Sequence, residues 1–247
     1  MSKVINLFNI PIDAITMQET LEKFELSVLE NKQIHHTVVN AGKIVLMQVN
    51  EELNNSVLEA DIINADGQAV VWAANLLGYN LPERVSGIDL MERLVELSFK
   101  RDYKCFFFGA TKEIVSKVVD HYENKYSNDI VAGYRDGYFD KSDEKEIVSN
   151  ISNSGANILF VAMSSPKKEI FLNAYKQQLK SINFIMGVGG SFDVIAGKVK
   201  RAPIWMQRIG LEWFYRVVQE PKRMWRRYLV GNSKFIWLVF KEYFNRK

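Results

Sequence analysis

Short, almost wholly apolar runs recur along this chain, each closed by glycine or a small polar residue and followed by a helix-like segment. Tyr103–Phe108, Asn157–Met163 and Ile182–Met186 are the clearest. Such runs suit strands covered on both faces, and their regular exchange with helices implies a largely parallel sheet between two helical layers. The rest of the chain keeps the same rhythm. Val4–Ile10 reads as a strand. Thr16-Met17-Gln18-Glu19 is a capping box that opens a helix through about Glu30. His35–Asn40 is the next strand, a helix runs from about Lys43 to Leu58, and Ile62–Asn64 is a short strand leading to an apolar helix ending near Leu77. Further helices are predicted near Ile88–Lys100, around Val115–Tyr126, and from Pro166 to about Leu179, with a strand at Asp129–Gly133. The fold class expected is α/β, Rossmann-like, with a helical appendage at the C-terminal end.

Ligands of such sheets bind beyond the carboxyl ends of the strands. The polar punctuation falls there: Asn40, Asp66-Gly67, Gly109-Ala110-Thr111, Ser164-Ser165-Pro166 and Gly187–Ser191. Composition is that of an ordinary globular protein, 47% hydrophobic and 25% charged. A single cysteine, Cys105, excludes an internal disulfide framework and suits a reducing compartment; its apolar flanks mark a core thiol. Met1 to Phe8 does not read as the charged start and apolar run of a secretory leader, so a cytoplasmic location is expected.

Charge is unevenly placed. From Lys198 onward, 13 Lys/Arg face 3 Asp/Glu, a net +10; the chain totals +3, so residues 1–197 carry −7. A basic segment of this kind meets an anionic surface, membrane or nucleic acid, or else is a solvated face. After Pro203 the texture turns to long basic, aromatic helical segments with Trp205, Trp213, Trp225 and Trp237. The expected division is an α/β catalytic domain over 1–202 and a membrane-associating appendage over 203–247. Arg227, Lys234 and Lys241 recur every seven residues on one helical face, with Trp225, Leu229, Ile236, Phe240 and Tyr243 opposite. Gly231-Asn232 is a point where that helix can break, and Phe235–Phe240 is far too short to span a bilayer. A basic amphipathic helix rich in Trp and Phe fits an interfacial position; packing on the domain or on a second subunit, as in a homo-oligomer, is the alternative.

The individual motifs leave options open. Gly187-Val188-Gly189-Gly190-Ser191 can bring backbone amides to a phosphate at a helix N-terminus, or serve as a tight turn. It is neither a dinucleotide fingerprint nor a P-loop. Asp66, at a strand end, is a general base or the cap of the next helix. No D-x-D pair occurs, and His35, His36 and His121 have no metal-ligand spacing, so no metal or other cofactor is expected. A donor diphosphate would then be met by backbone dipoles and by cations such as Arg216, Lys222, Arg223, Arg226 and Arg227.

Taken in order, these pieces resemble the WecG/TagA/CpsF glycosyltransferase family. The landmarks are Asn40-Ala41, Ala65-Asp66-Gly67, Arg84-Val85-Ser86-Gly87, Phe108-Gly109-Ala110, Gly133-Tyr134, Gly187-Val188-Gly189-Gly190-Ser191-Phe192-Asp193, Arg201-Ala202-Pro203, Gly210-Leu211-Glu212-Trp213 and Glu220-Pro221. The resemblance implies inverting, metal-independent transfer of a sugar, commonly an N-acetylmannosamine derivative, from a UDP-sugar to an undecaprenyl-diphosphate-linked GlcNAc-type acceptor, in cell-surface polysaccharide synthesis at the inner face of the plasma membrane. It implies Asp66 as the catalytic aspartate. Substrate contacts are implied at Asn40, Arg84, Gly109, Lys168, Gly187, Gly189, Gly190, Asp193, Arg216, Arg223 and Arg226. Two departures stand out. Lys168 occupies the place of a glutamine in the family's G-x-P-x-Q-E element, here Ser164-Ser165-Pro166-Lys167-Lys168-Glu169. Thr37 lies three residues before Asn40 where the family has T-x-N, and one residue turns a strand side chain to the other face.

Two other classes compete. An oxidoreductase on a similar sheet would need the missing dinucleotide fingerprint. A non-catalytic membrane- or RNA-binding module would use the basic tail, with aromatics stacking on bases, but would leave the polar strand ends without a purpose. The expected partners are therefore donor, lipid-linked acceptor and anionic membrane, and no nucleic acid.

Overall fold

The computed structural model describes residues 4–246, with the side chains of Arg223, Arg226 and Arg227 outside the described set. A β-hairpin, β1 (Val4–Leu7) and β2 (Ile10–Asp13), precedes a six-stranded parallel sheet. The sheet strands are β3 (Ile34–Val39), β4 (Ile62–Ala65), β5 (Cys105–Gly109), β6 (Val131–Arg135), β7 (Ile158–Ala162) and β8 (Phe184–Gly187), in the order β4-β3-β8-β7-β5-β6. Between them run α1 (Met17–Leu29), α2 (Ala41–Met47), α3 (Glu51–Leu58), α4 (Gln68–Leu76), α5 (Gly87–Arg101), α6 (Lys112–Lys125), α7 (Glu144–Ser152) and α8 (Lys167–Tyr175). After β8 come α9 (Ser191–Ile195), α10 (Ile204–Arg208), α11 (Glu212–Gln219) and α12 (Pro221–Asn245).

Alternate strand residues feed opposite layers. Phe107, Phe160, Phe184 and Met186 pack with α1, α5 and α6, while Phe106, Phe108, Leu159, Val161 and Ile185 pack with α7 and α8. Burying a side chain of this size contributes about 1.5–3 kcal/mol, so the two layers fix the register of β5, β7 and β8. Cys105 lies in the first of them, and burial pushes its thiol up to about 12, which leaves it inert.

Three local expectations are corrected, and one element is added. Val4–Ile10 is not one strand: Phe8 and Asn9, both at positive φ, turn the chain into the hairpin. Phe8 is held there by burial and by an edge-to-face contact with Phe235 at 5.8 Å. The helix expected over Lys43–Leu58 is two, because Asn50 accepts from Leu53 N and starts α3 afresh. α7, with buried Ile147, Val148 and Ile151, was not anticipated. Gly231-Asn232 does not break α12, which runs unbroken for 25 residues.

α12 docks on the domain mainly through residues outside the aromatic face read from the sequence, of which only Tyr243 takes part among the described side chains. Phe235 and Val239 join the core formed by the hairpin, α2, α3 and α4, and Tyr243 packs against its edge. Trp225, Leu229, Ile236 and Phe240 stay exposed, together with Trp237 and Phe244. Among the described residues no helix is long and apolar enough to cross a membrane.

Candidate active site

The carboxyl ends of β3, β4, β7 and β8 open into one cleft of ≈ 1950 Å³, walled on its far side by α11 and α12. The fold brings Asn40, Asp66, Arg84, Lys168, Gly187, Gly189, Gly190, Asp193 and Arg216 to its lining. Gly109 is buried behind the cleft, where a side chain would collide with Ala162 O, and its neighbours Ala110 and Thr111 border the opening instead. Arg223 and Arg226 lie outside the described side chains.

Asp66 follows the last residue of β4 and is tied to β3 by Asp66 N donating to Val39 O at 2.8 Å. It does not cap the next helix. The N-cap of α4 is Gly67, and no side chain caps that end. The Asp66 carboxyl is thus presented to the cleft. Burial pushes it above the ordinary carboxylate range; Arg84 and Lys43 pull it down, and Glu212 and Asp89 add to the rise. A carboxylate with raised proton affinity is a stronger base toward a hydroxyl than a free one.

Asn40 caps α2, its Oδ1 accepting from Lys43 N at 3.0 Å, which leaves the amide nitrogen available to a ligand. Thr37 is buried on β3, with Lys43 Nζ at 3.5 Å, while Val38 borders the cleft. The one-residue offset seen in the sequence therefore does turn the threonine away.

The glycine-rich turn after β8 is shaped by what packs on it. A Cβ on Gly187 would stand 2.9 Å from Lys168 Cδ, and one on Gly190 would stand 3.2 Å from an Arg216 guanidinium nitrogen. Glycine lets the lysine stem pass beneath the turn and the guanidinium lie on top of it. Backbone amides and a planar cation are groups with the chemistry to hold a phosphate. Asp193, in the first turn of α9, pairs with Lys198 at 3.2 Å at the rim.

Beneath the turn lies a group that sequence spacing could not reveal. Lys43 and Lys168 both approach Glu169 Oε1, at 2.6 and 2.7 Å, with all three side chains buried. Lys43 Nζ also donates to Val38 O at 2.6 Å. Burial would raise the Glu169 carboxyl, but the two lysines hold it down at about 2. Lys168 is therefore no exposed helix residue; it is part of the cleft floor. Lys43 and Glu169, from α2 and α8, meet only because β3 and β8 are neighbours in the sheet.

The chain matches the model of the glycosyl transferase WecG/TagA/CpsF family over residues 5–247. It is 36% identical over 189 residues to an N-acetylglucosaminyldiphosphoundecaprenol N-acetyl-beta-D-mannosaminyltransferase of Bacillus subtilis, a stretch covering 76% of this chain and 72% of that one. A protein of the same name from Bacillus spizizenii is 36% identical over 182 residues, covering 74% and 69%.

Proposed function

This chain belongs to the WecG/TagA/CpsF family and is a glycosyltransferase; from that premise we propose that it moves one sugar from a UDP-sugar to a GlcNAc-type acceptor carried on undecaprenyl diphosphate. The donor sugar in this reading is an N-acetylmannosamine derivative, in keeping with the names of the two Bacillus relatives. The observation that carries the proposal is the placement of an uncapping carboxylate, Asp66, in the same cleft as the Gly187–Gly190 turn and Arg216.

In this mechanism the donor diphosphate lies beside the glycine turn, against the Arg216 guanidinium that packs on it. The acceptor hydroxyl attacks the anomeric carbon from the side opposite the leaving oxygen. Its proton passes to Asp66 as the new glycosidic bond forms and the bond to UDP breaks, giving inversion. Charge gathering on the departing phosphate is met by turn amides and Arg216, groups already in place that need no reorganisation. No metal ion has a role in it. The appendage contributes the acceptor side, with exposed Trp225, Trp237 and Phe240 on α12 supporting a peripheral position at the inner membrane face.

The test is transfer from a panel of UDP-sugars to a short-chain lipid-diphosphate GlcNAc, with and without EDTA. Chelator-resistant release of UDP coupled to a disaccharide product is expected. Absence of product with every donor sinks the substrate assignment, and a turnover that EDTA stops and Mg²⁺ restores sinks the metal-independent diphosphate site.

A further inference from the structure

A closed ring of four charges fastens the appendage to the wall of the cleft. Arg201, in the extended stretch after α9, grips Asp89 with two nitrogens, NH1 to Oδ1 at 2.6 Å and NH2 to Oδ2 at 2.8 Å. Asp89 Oδ2 is 3.8 Å from Arg84 NH2, Arg84 NH1 donates to Glu212 Oε2 at 3.1 Å, and Glu212 Oε1 returns to Arg201 Nε at 3.9 Å. All four side chains are between 15% and 34% exposed, so the ring is half-buried and less screened than a surface pair. Burial opposes the anion at Asp89, yet Arg201 and Arg84 hold its carboxyl below the ordinary range.

The chain is built to deliver Glu212 to this place. Gly210, at φ 69°, brings the backbone so close to α4 that a Cβ would lie 2.9 Å from the Trp72 ring and 3.1 Å from Gln68. Glu212 then opens α11. The far end of α11 is fixed by Gln219, which accepts from Lys200 N at 2.9 Å and donates to Lys200 O at 2.8 Å. Opposite, Val85 N donates to Ala65 O at 2.9 Å, which ties the Arg84 segment to the strand that ends at Asp66. Glu212 thus belongs to the appendage and Arg84 to the domain, and both line the cleft with the carboxylate assigned as base and act on its charge.

We propose that Glu212 is a positioning residue for sugar transfer: by drawing Arg84 into the ring it keeps the guanidinium from pairing with Asp66, so the base is competent only while α11 is seated on the domain. The inference rests on Asp66 being the base. The charges acting on Asp66 come from four elements: Lys43 on α2, Arg84 before α5, Asp89 on α5 and Glu212 on α11. Removing the Glu212 charge takes away a repulsion and releases an arginine at once. Both changes favour the Asp66 anion, which makes it a weaker proton acceptor. Seating of the appendage, which also walls the cleft against water, then coincides with activation of the base.

The experiment is the pH dependence of kcat for the full chain with a soluble acceptor, in wild type, Glu212→Gln, Glu212→Asp and Asp66→Asn. Glu212→Gln is expected to move the acid limb to lower pH and to reduce the plateau by about tenfold, the scale of a weakened base. Glu212→Asp, which keeps the charge at shorter reach, is expected to lie between the two and serves alone if the Gln variant does not fold. An acid limb unmoved in both variants, with loss confined to KM or to thermal stability, would overturn the proposal and leave Glu212 as a fastening for α11. The prior reading fails separately: an active Asp66→Asn enzyme with the wild-type acid limb removes the base itself.

Discussion

At the scale of single residues the cleft floor is governed by one carboxylate shared by two ammonium groups. Glu169→Gln would leave Lys43 and Lys168 buried against each other without their common counter-charge, and loss of one member of such a set costs about 3–5 kcal/mol. Lys168→Gln leaves the Lys43–Glu169 pair at 2.6 Å intact, so its cost is expected to be clearly smaller. Denaturant titration of the two variants checks that order. Lys168→Gln is further expected to change the relative rates on acidic and neutral UDP-sugars, because a buried lysine stem under the Gly187 turn brings a positive charge to the donor side. Identical rate ratios in wild type and variant would show that Lys168 only supports the turn. What the sequence showed here was uneven. Asp66, Asn40 and the glycine turn are marked by their positions at strand ends. Lys43 carries no local signal, and Glu169 and Glu212 lie within family motifs that say nothing of their partners, since each acquires its partner only through sheet order or through the seating of α11.

At the scale of elements, β3 carries two adjacent histidines into the core. Burial lowers His35 to about 3, with Lys176 and His36 adding to the fall; burial also lowers His36 to about 4, against the hydrogen bond to Asn64 at 2.9 Å. Above the unfolded value of 6.5 both rings are neutral in either state. Below it the unfolded chain takes up protons that the folded chain refuses, so stability falls as pH drops from 6.5 toward 4, by about 1.4 kcal/mol per pH unit for each ring. Unfolding free energies at pH 7 and pH 5 test this, and equal values would contradict it. α12 makes a second element-scale prediction. Its exposed aromatic face should bind anionic vesicles through a salt-insensitive apolar part and a salt-sensitive basic part, each basic residue contributing about 1 kcal/mol near the surface. Lys241→Glu, at an exposed position that does not line the cleft, is expected to weaken vesicle binding at low salt while sparing transfer to a short-chain acceptor; unchanged binding would assign that face to another partner. Periodicity marked Trp225, Leu229, Ile236 and Phe240 of this helix as one stripe, and these four stay exposed. Its docking face was not legible in this way, because Phe235 and Val239 find their place only against the hairpin made by Phe8 and Asn9.

At the scale of the whole molecule, the parallel sheet and its two helical layers follow from strands that are apolar on both faces, and the cleft follows from where those strands end. The appendage is more than an addition to that plan. Phe235 and Val239 complete a core cluster, the Arg84–Glu212–Arg201–Asp89 ring crosses to the domain, and α11 walls the cleft. Deleting it would expose core as well as remove cations, so point substitutions are the sound way to separate its roles. What that assembly surrounds is a strand-end carboxylate, Asp66, proposed to take the acceptor proton. The most direct measurement is the transfer rate of Asp66→Asn from UDP-sugar to a soluble lipid-diphosphate acceptor, with the fold confirmed by circular dichroism and melting temperature. The isosteric amide fills the same space but cannot accept the proton, and the account predicts a fall of about 10²–10⁴-fold in kcat with an unchanged fold; a rate within about threefold of wild type would contradict it.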